Sequence, residues 1–230
     1  MDINVVSVVI TAKDDRKSFL RALTSVVNQD YQKYDVIVED SSNNDEIKNL
    51  VDGFGNEKIK YFSEDSSLTL SELLNIGIKK ADGKYIKILH STDWFTDASS
   101  LESYVDLMDN NSKAVIGFSN KVLVNVDNGS EIYLDLSSSV ANCGGNLSGL
   151  IEKGHLCSSS SYIFRNGSDL TFDEKLKYLY DLDFSMFILT EKKKYAFTDK
   201  MLVKVLKSDI MSKDFESEKK YIKEKYSYIK

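Results

Sequence analysis

The strongest constraint on the fold is a regular alternation of strand-like and helix-like segments over residues 5–89. Short β-branched and apolar runs predict four buried strands, at Val5–Thr11, Asp35–Asp40, Ile59–Phe62 and Tyr85–Leu89. Apolar residues at helical spacing predict three helices between them, near 19–28, 45–54 and 70–78. Such alternation predicts a parallel sheet with helices on its faces, and ligands of such sheets bind beyond the carboxyl ends of the strands.

The second half of the chain has a less regular pattern. We expect helices over 101–108 and 181–191, strands over 114–124, 131–136 and 160–165, and a charged helix in the tail from residue 212. Four glycines between Asn142 and Gly154 predict a loop that can close over a ligand. Because no repeat or linker separates the halves, we expect one domain.

Composition narrows the class of protein. The chain has 230 residues, 42% of them apolar, which is enough for one large α/β domain. Its net charge of -6 argues against a nucleic acid partner, because phosphate contacts need a basic surface. No apolar run approaches the roughly 20 residues that span a bilayer, and the first residues do not resemble a signal peptide. We therefore expect a cytoplasmic protein.

Acidic residues in three segments can carry chemistry, and each segment also has a structural interpretation. Asp40 ends the second strand and can accept hydrogen bonds from a base or ribose, or it can cap the next helix. Asp93 follows the fourth strand and can hold a divalent cation together with phosphate oxygens, or it can be a turn residue. Asp181 and Asp183 can supply a general base or favour a helix N-terminus. In a helix they point about 200° apart, so only one can face a given site.

In combination and order, these segments resemble the inverting enzymes of glycosyltransferase family 2. The segments that carry the resemblance are Val6–Thr11, Leu23–Tyr31, Tyr34–Asp45, Asn75–Ile78, Ala81–Ile86, His90–Phe95, Phe172–Glu174 and Asp181–Phe184. His90–Phe95 occupies the position of the D-x-D-type metal motif of the family. The resemblance covers roughly residues 5–190 and is most specific before residue 96.

The resemblance implies a GT-A-like α/β fold with a mixed central sheet. Residues 1–95 would form the nucleotide-sugar-binding half, 96–205 the acceptor-binding and catalytic half of the same domain, and 206–230 a charged C-terminal helix. The implied reaction transfers a sugar from a nucleotide donor, expected to be UDP-linked, to a glycan or lipid-linked acceptor. The implied setting is polysaccharide biosynthesis.

The resemblance also implies a role for individual residues. Asp93 would ligate Mn²⁺ or Mg²⁺ on the diphosphate, and Asp181 would deprotonate the acceptor hydroxyl. The residues expected around the nucleotide, with Asp40 on the base, are Thr11, Lys13, Asp40, Ser41 and Thr92.

Departures from the family pattern keep a second hypothesis open. Thr11–Asp14 stands where the family usually has Pro and then Tyr-Asn, so the usual stacking contact with the base is in question and Lys13 can instead reach a phosphate. His90 and Thr92 replace acids of the metal motif. His90 or His155 can add a cation ligand or can be structural. A non-catalytic nucleotide-binding or scaffolding relative with a decayed metal motif is the alternative.

Other nucleotide enzymes are a weaker alternative. Neither of the glycine-rich phosphate-binding motifs typical of dehydrogenases and P-loop enzymes follows the first strand. The tail allows two interpretations, because residues 204–230 hold eight lysines, five acids and three tyrosines. It can make a peripheral contact with the inner face of the membrane, or it can be a solvated helix that packs back on the domain.

Overall fold

The computed structural model describes residues 5–136, 158–191, 194–207 and 214–228. The elements of the first half are β1 (Val6–Ala12), α1 (Arg16–Val27), β2 (Tyr34–Asp40), α2 (Glu46–Phe54), β3 (Ile59–Ser63), α3 (Leu70–Lys80), β4 (Tyr85–His90) and β5 (Trp94–Phe95). Those that follow are α4 (Ser100–Asn110), β6 (Ile116–Asn125), β7 (Glu131–Leu134), β8 (Tyr162–Arg165), α5 (Tyr180–Thr190), β9 (Tyr195–Lys207) and α6 (Asp214–Lys225). The loop predicted over 142–154 and His155 lie outside the described residues.

The strands form one mixed sheet. Their order is β3-β2-β1-β4-β8-β6-β9-β5, and β7 pairs with β6. The first four strands are parallel to one another, β8 runs antiparallel to both β4 and β6, and β9 runs parallel to β6. The predicted mixed central sheet is therefore present, and both halves of the chain contribute strands to it.

Helices cover both faces of the sheet, which explains why β1 and β2 are buried at every position. Alternate strand residues form two apolar clusters, one against α1, α2 and α4 and the other against α3, α5 and α6. The second cluster holds Phe172, Leu182 and Phe184, so this segment of the second half packs directly against the strands of the first half.

Close packing explains two glycines in the first half. A Cβ atom at Gly77 of α3 would lie 2.4 Å from Val9 Cγ1, and one at Gly83 would lie 2.5 Å from the backbone nitrogen of Ser7. Neither position can hold a larger residue without displacing β1. α3 also begins with a capping box, in which Thr69 and Glu72 satisfy each other's backbone N–H groups.

The second half differs from the expectation in two places. Residues 159–161 form a 3₁₀ turn that precedes β8, where a strand was expected from residue 160. β9 is a 13-residue strand without a counterpart among the predicted elements. Its polar centre and the register shift opposite Ser119–Lys121 disrupt the alternation that marks a strand.

The tail forms the expected helix and packs back on the domain. Glu218, Ile222 and Tyr226 of α6 are buried, and Ile222 and Tyr226 belong to the same apolar cluster as α5. Within the part of the chain that the structure describes, every helix is too short or too polar to cross a bilayer.

Candidate functional site

The carboxyl ends of β1, β2 and β4 meet at one edge of the sheet. Thr11 lies in register with Glu39 on one side and His90 on the other. Beyond the strand ends, the Ser41 N–H donates to the Ala12 carbonyl at 3.0 Å and the Ser91 N–H donates to the Thr11 carbonyl at 3.2 Å. All the residues expected at the nucleotide and metal therefore lie on three loops of this edge.

The loop after β2 is organised by two carboxylates. Asp40 accepts from the Ser42 N–H at 2.9 Å and from the Tyr61 hydroxyl at 2.8 Å, and burial together with this carboxylate raises the pKa of Tyr61. Asp14 accepts from the Asn43 N–H at 3.0 Å, while its own N–H donates to Ser42 Oγ at 2.8 Å. Asp14 has a φ of 52°, a conformation that aspartate tolerates better than most residues.

The other two expected nucleotide-side residues differ in exposure. Ser41 is fully buried, and its hydroxyl has no hydrogen-bond partner within the described ranges. Lys13 is exposed, and its ammonium donates to the Ser66 carbonyl at 2.8 Å. The Lys13 ammonium is therefore open to solvent at this edge of the sheet.

Glu39 is a buried acid that the sequence pattern did not distinguish from Asp40. It points to the opposite face, where its Oε2 atom lies 2.8 Å from Lys80 of α3, and Lys80 also lies 2.7 Å from Glu64. Burial raises the pKa of Glu39 to about 7, against the lowering effect of Lys80. Glu39 therefore ties β2 to α3 beneath the site.

His90 connects the end of β4 to the segment before β8. Its backbone N–H donates to Ser160 Oγ at 3.0 Å, and its ring Nε2 lies 2.5 Å from Ser159 Oγ and 3.4 Å from the Tyr180 hydroxyl. The ring Nδ1 lies 3.4 Å from the Thr11 hydroxyl. The imidazole thus lies between the nucleotide-side loop and the start of α5.

Asp181 lies on the far side of this histidine. It accepts from the Ser159 N–H at 3.1 Å and from the Tyr162 hydroxyl at 3.1 Å. Burial raises the pKa of Asp181, and the nearby His90 lowers it in part. Asp183, two residues later, turns away and pairs with Lys225 of α6 at 2.8 Å. Asp181 is therefore the carboxylate on the side of the candidate site.

Several residues of this cluster were not predicted. Ser159, Ser160, Tyr162 and Tyr180 reach His90 or Asp181, although the sequence singles out none of them as functional. The run of serines at 158–161 was the available signal, but serine runs are also common in loops.

Asp93 is 2% exposed. Its Oδ1 atom accepts from the Thr92 hydroxyl at 3.0 Å and from the Leu206 N–H at 3.3 Å. Both of these hydrogen bonds from described residues end on Oδ1, and neither uses Oδ2. Asp93 interacts electrostatically with Arg21 and Lys87: burial lowers the pKa of each, and Asp93 raises it in part. Arg21 also stacks on Trp94, with its guanidinium carbon 3.7 Å from the ring centroid.

This donor set fits one kind of cation site. No group of three or more His, Cys, Asp or Glu residues with metal-binding proximity occurs among the described residues. Asp93 Oδ2 can supply one carboxylate oxygen, while Mg²⁺ and Mn²⁺ accept phosphate and water oxygens for the rest. The residues therefore fit a cation that arrives with a diphosphate and do not form a multi-carboxylate cage.

Comparisons with known proteins identify the family of this chain. The model of Glycosyl transferase family 2 matches residues 7–174. An uncharacterized glycosyltransferase of Rickettsia bellii is 32% identical over 108 residues, which are 46% of this chain and 15% of that protein. The Escherichia coli UDP-Glc:alpha-D-GlcNAc-diphosphoundecaprenol beta-1,3-glucosyltransferase WfgD is 26% identical over 109 residues, which are 47% of this chain and 42% of that protein.

Solved structures share the fold. S. aureus TarS 1–349 in complex with UDP-GlcNAc has a TM-score of 0.69 at 18% identity, over 92% of this chain and 60% of that one. The mannosyltransferase PcManGT from Pyrobaculum calidifontis, in complex with GDP-Man and Mn²⁺, has a TM-score of 0.66 at 13% identity, over 94% and 59%. These similarities confirm the GT-A-like fold. Since the family match covers most of the chain, including the edge at which β1, β2 and β4 end, the protein belongs to glycosyltransferase family 2.

Proposed function

We propose that this protein is an inverting glycosyltransferase that moves a sugar from a UDP-linked donor to a hydroxyl of a glycan or lipid-linked acceptor. The observation that carries the proposal is the position of Asp181, a largely buried carboxylate beside the edge at which β1, β2 and β4 end. Burial raises the pKa of Asp181 above that of an exposed aspartate and so toward neutral pH. A pKa nearer the working pH favours general base catalysis.

The donor would lie across the three loops of this edge. Asp40, Ser41 and Thr11 would line the nucleoside, Thr92 would lie beside the diphosphate, and the exposed Lys13 would reach a phosphate. The names of the relatives support this class of donor: WfgD uses UDP-Glc, TarS was solved with UDP-GlcNAc and PcManGT with GDP-Man.

The chemical step is a single displacement. Asp181 removes the proton from the acceptor hydroxyl as the acceptor oxygen forms a bond to the anomeric carbon from the face opposite the phosphate. The bond between the anomeric carbon and the phosphate oxygen breaks, and the nucleoside diphosphate leaves with the electron pair. Because attack and departure occur on opposite faces, the anomeric configuration inverts.

Asp93 would hold a Mn²⁺ or Mg²⁺ ion through one carboxylate oxygen, and the ion would supply charge stabilisation to the leaving diphosphate. The relative PcManGT was solved with Mn²⁺. Two further roles belong to protein side chains alone. Lys13 adds positive charge at this edge of the sheet, and the contact between His90 and Ser159 orients the segment that holds Asp181.

A lipid-linked acceptor is supported by the name of WfgD, which acts on a diphosphoundecaprenol-linked sugar. We propose that this chain works in polysaccharide biosynthesis in the cytoplasm, with a peripheral contact at the inner membrane face. The outward side of α6 carries both Lys220 and Glu224, so electrostatic attraction to anionic lipid would be weak there. Flotation with vesicles of anionic and neutral phospholipid would measure this contact directly.

A second candidate function is a nucleotide-binding or scaffolding subunit without turnover. The observation that favours it is that the motif after β4 has one acid, Asp93, while His90 and Thr92 make hydrogen bonds within the protein. The transferase and a nucleotide-binding subunit both predict nucleotide binding, so turnover separates these two.

The test begins with thermal unfolding in the presence of UDP, GDP or CDP, each with and without Mn²⁺. A bound ligand stabilises the folded state by about 2.7 kcal/mol at a hundredfold excess over its dissociation constant. We expect UDP with Mn²⁺ to raise the unfolding midpoint most. In a second assay, we expect the protein to release UDP from a UDP-sugar. Binding without release would support the nucleotide-binding subunit, and the absence of any nucleotide shift would contradict the transferase and favour a scaffolding role.

A further inference from the structure

The C-terminal helix α6 satisfies the backbone at the start of α5. The Glu218 carboxylate accepts hydrogen bonds from the N–H groups of Lys177, Tyr178 and Leu179, with shortest distances of 2.9, 3.0 and 2.8 Å. These N–H groups lie just before Tyr180, the first residue of α5. At this end of a helix no preceding turn supplies carbonyl acceptors for backbone N–H groups. Glu218 is 8% exposed, so these charge-assisted bonds are shielded from water.

A second contact holds the flanks of the same segment. Lys225 Nζ lies 2.7 Å from Asp173 Oδ2 and 2.8 Å from Asp183 Oδ1. The Tyr221 hydroxyl donates to Asp173 at 2.8 Å, and the Tyr226 hydroxyl donates to Asp183 Oδ1 at 3.1 Å. Because Asp183 is buried, removal of Lys225 would leave a carboxylate without its counter-charge.

These contacts reach Asp181 through the geometry of the helix. Asp181 and Asp183 are two residues apart in the first turn of α5, so they point about 200° apart. Asp183 is anchored on α6, while Asp181 accepts hydrogen bonds from Ser159 and Tyr162. A rotation of the first turn would move both carboxylates together, and it is opposed from both sides.

We propose that α6 is a positioning element for the catalytic base: Glu218 and Lys225 fix the height and rotation of the first turn of α5, so that Asp181 faces the acceptor. This inference rests on the proposed function. The apolar contacts of Ile222 and Tyr226 hold α6 on the domain, whereas the contacts of Glu218 and Lys225 orient the turn that α6 touches.

The experiment compares full-length variants Glu218→Gln, Lys225→Met and Lys225→Arg with the control Lys220→Met. Lys220 lies on the same helix with its side chain 79% exposed, so the control removes a lysine without touching α5. The first measurement is the carboxyl ¹³C NMR titration of Asp181, assigned with Asp181→Asn. The second is the rate of UDP release from UDP-glucose and from UDP-GlcNAc, with water or a supplied sugar as acceptor.

In Glu218→Gln and Lys225→Met we expect the Asp181 titration midpoint to move toward that of an exposed aspartate. We expect kcat to fall about tenfold to a hundredfold, because small displacements of a catalytic group are costly, with KM for the donor changed less than about twofold. Lys225→Arg, which retains a cation between the two carboxylates, should recover most of kcat. Lys220→Met should match the wild type in both measurements.

Folded Glu218→Gln and Lys225→Met variants with the wild-type Asp181 titration and kcat would overturn the inference. If Lys225→Met does not fold, Glu218→Gln and Lys225→Arg still decide it by the same measurements. If the wild type releases no UDP from either donor while the Asp181 titration shifts in the variants, α6 positions Asp181 and the proposed function is at fault.

Discussion

His90 Nε2 lies 2.5 Å from the hydroxyl oxygen of Ser159, and the backbone N–H of Ser159 donates to Asp181 at 3.1 Å. One residue therefore connects the loop after β4 to the proposed base. His90, at the position that the resemblance assigns to the family's metal motif, thus contacts the segment that precedes β8. The following experiments test this arrangement and the packing around it.

Replacement of Asp181 by Asn should remove the carboxylate that accepts the proton and leave the donor site intact. We expect kcat for sugar transfer to fall about 10²–10⁴-fold, the usual contribution of a general base, while the thermal shift with UDP stays within error of the wild type. Asp106→Asn on the exposed side of α4 is the control and should retain full activity. Equal turnover in Asp181→Asn would assign the base to another residue.

The rate of transfer should fall on the acid side, because the base must be ionised to accept a proton. Burial raises the pKa of Asp181, so the acid limb of kcat should lie above the ordinary aspartate value of 3.8. The positive charge of His90 lowers the pKa of Asp181. His90→Gln should therefore move the limb to higher pH, and a limb that does not move would show that the two residues are not coupled.

Asp93→Asn tests the cation. We expect the UDP-induced thermal shift of the wild type to grow with Mn²⁺, and the Mn²⁺-dependent part to disappear in Asp93→Asn while the shift with UDP alone remains. The physical reason is that an amide oxygen without formal charge binds a divalent cation more weakly than a carboxylate does. A Mn²⁺ effect of wild-type size in this variant would place the cation on other ligands.

Two glycine substitutions should have opposite effects on stability. Gly77→Ala would place a Cβ atom 2.4 Å from Val9 Cγ1 and should lower the free energy of unfolding by about 1–3 kcal/mol. Gly53→Ala in α2 has no heavy atom within 4 Å of the new methyl group and should raise it by about 0.5–1 kcal/mol through helix propensity. Urea denaturation of both variants gives the comparison, and a neutral Gly77→Ala would mean that α3 and β1 can separate at no cost.

Glu39 should make the stability of the protein depend on pH. Burial raises the pKa of Glu39 from 4.5 to about 7, so the folded state favours its protonated form. That stabilisation is complete below 4.5 and is lost as the pH rises through about 7. Glu39→Gln removes this titrating group. The free energy of unfolding of the variant minus that of the wild type should therefore increase as the pH rises from 5 to 8. A constant difference over this range would show that Lys80 keeps Glu39 ionised throughout.

The elements of the first half could be predicted because their local patterns agree with their tertiary environment. β1 and β2 each hold a central apolar run, Val8–Ile10 and Val36–Val38, that is covered on both faces, and the polar residues at their carboxyl ends meet because parallel strands share one edge. Asp40 and Asp93 were singled out by the same reasoning, and Asp181 by its place at a predicted helix start and by the resemblance of its segment to the family. Their assignment as nucleotide, metal and base residues stays a prediction.

What the sequence determined by itself is therefore the fold class, the family and the edge of the sheet that holds the site, because these depend on periodicity and on short segments read in order. Tertiary structure alone decided which side chains meet there. Ser159 reaches His90 across 69 positions of the chain, and Glu218 reaches Leu179 across 39. Contacts over such separations leave no local period, and they arise only when β8 inserts between β4 and β6 and α6 packs against α5.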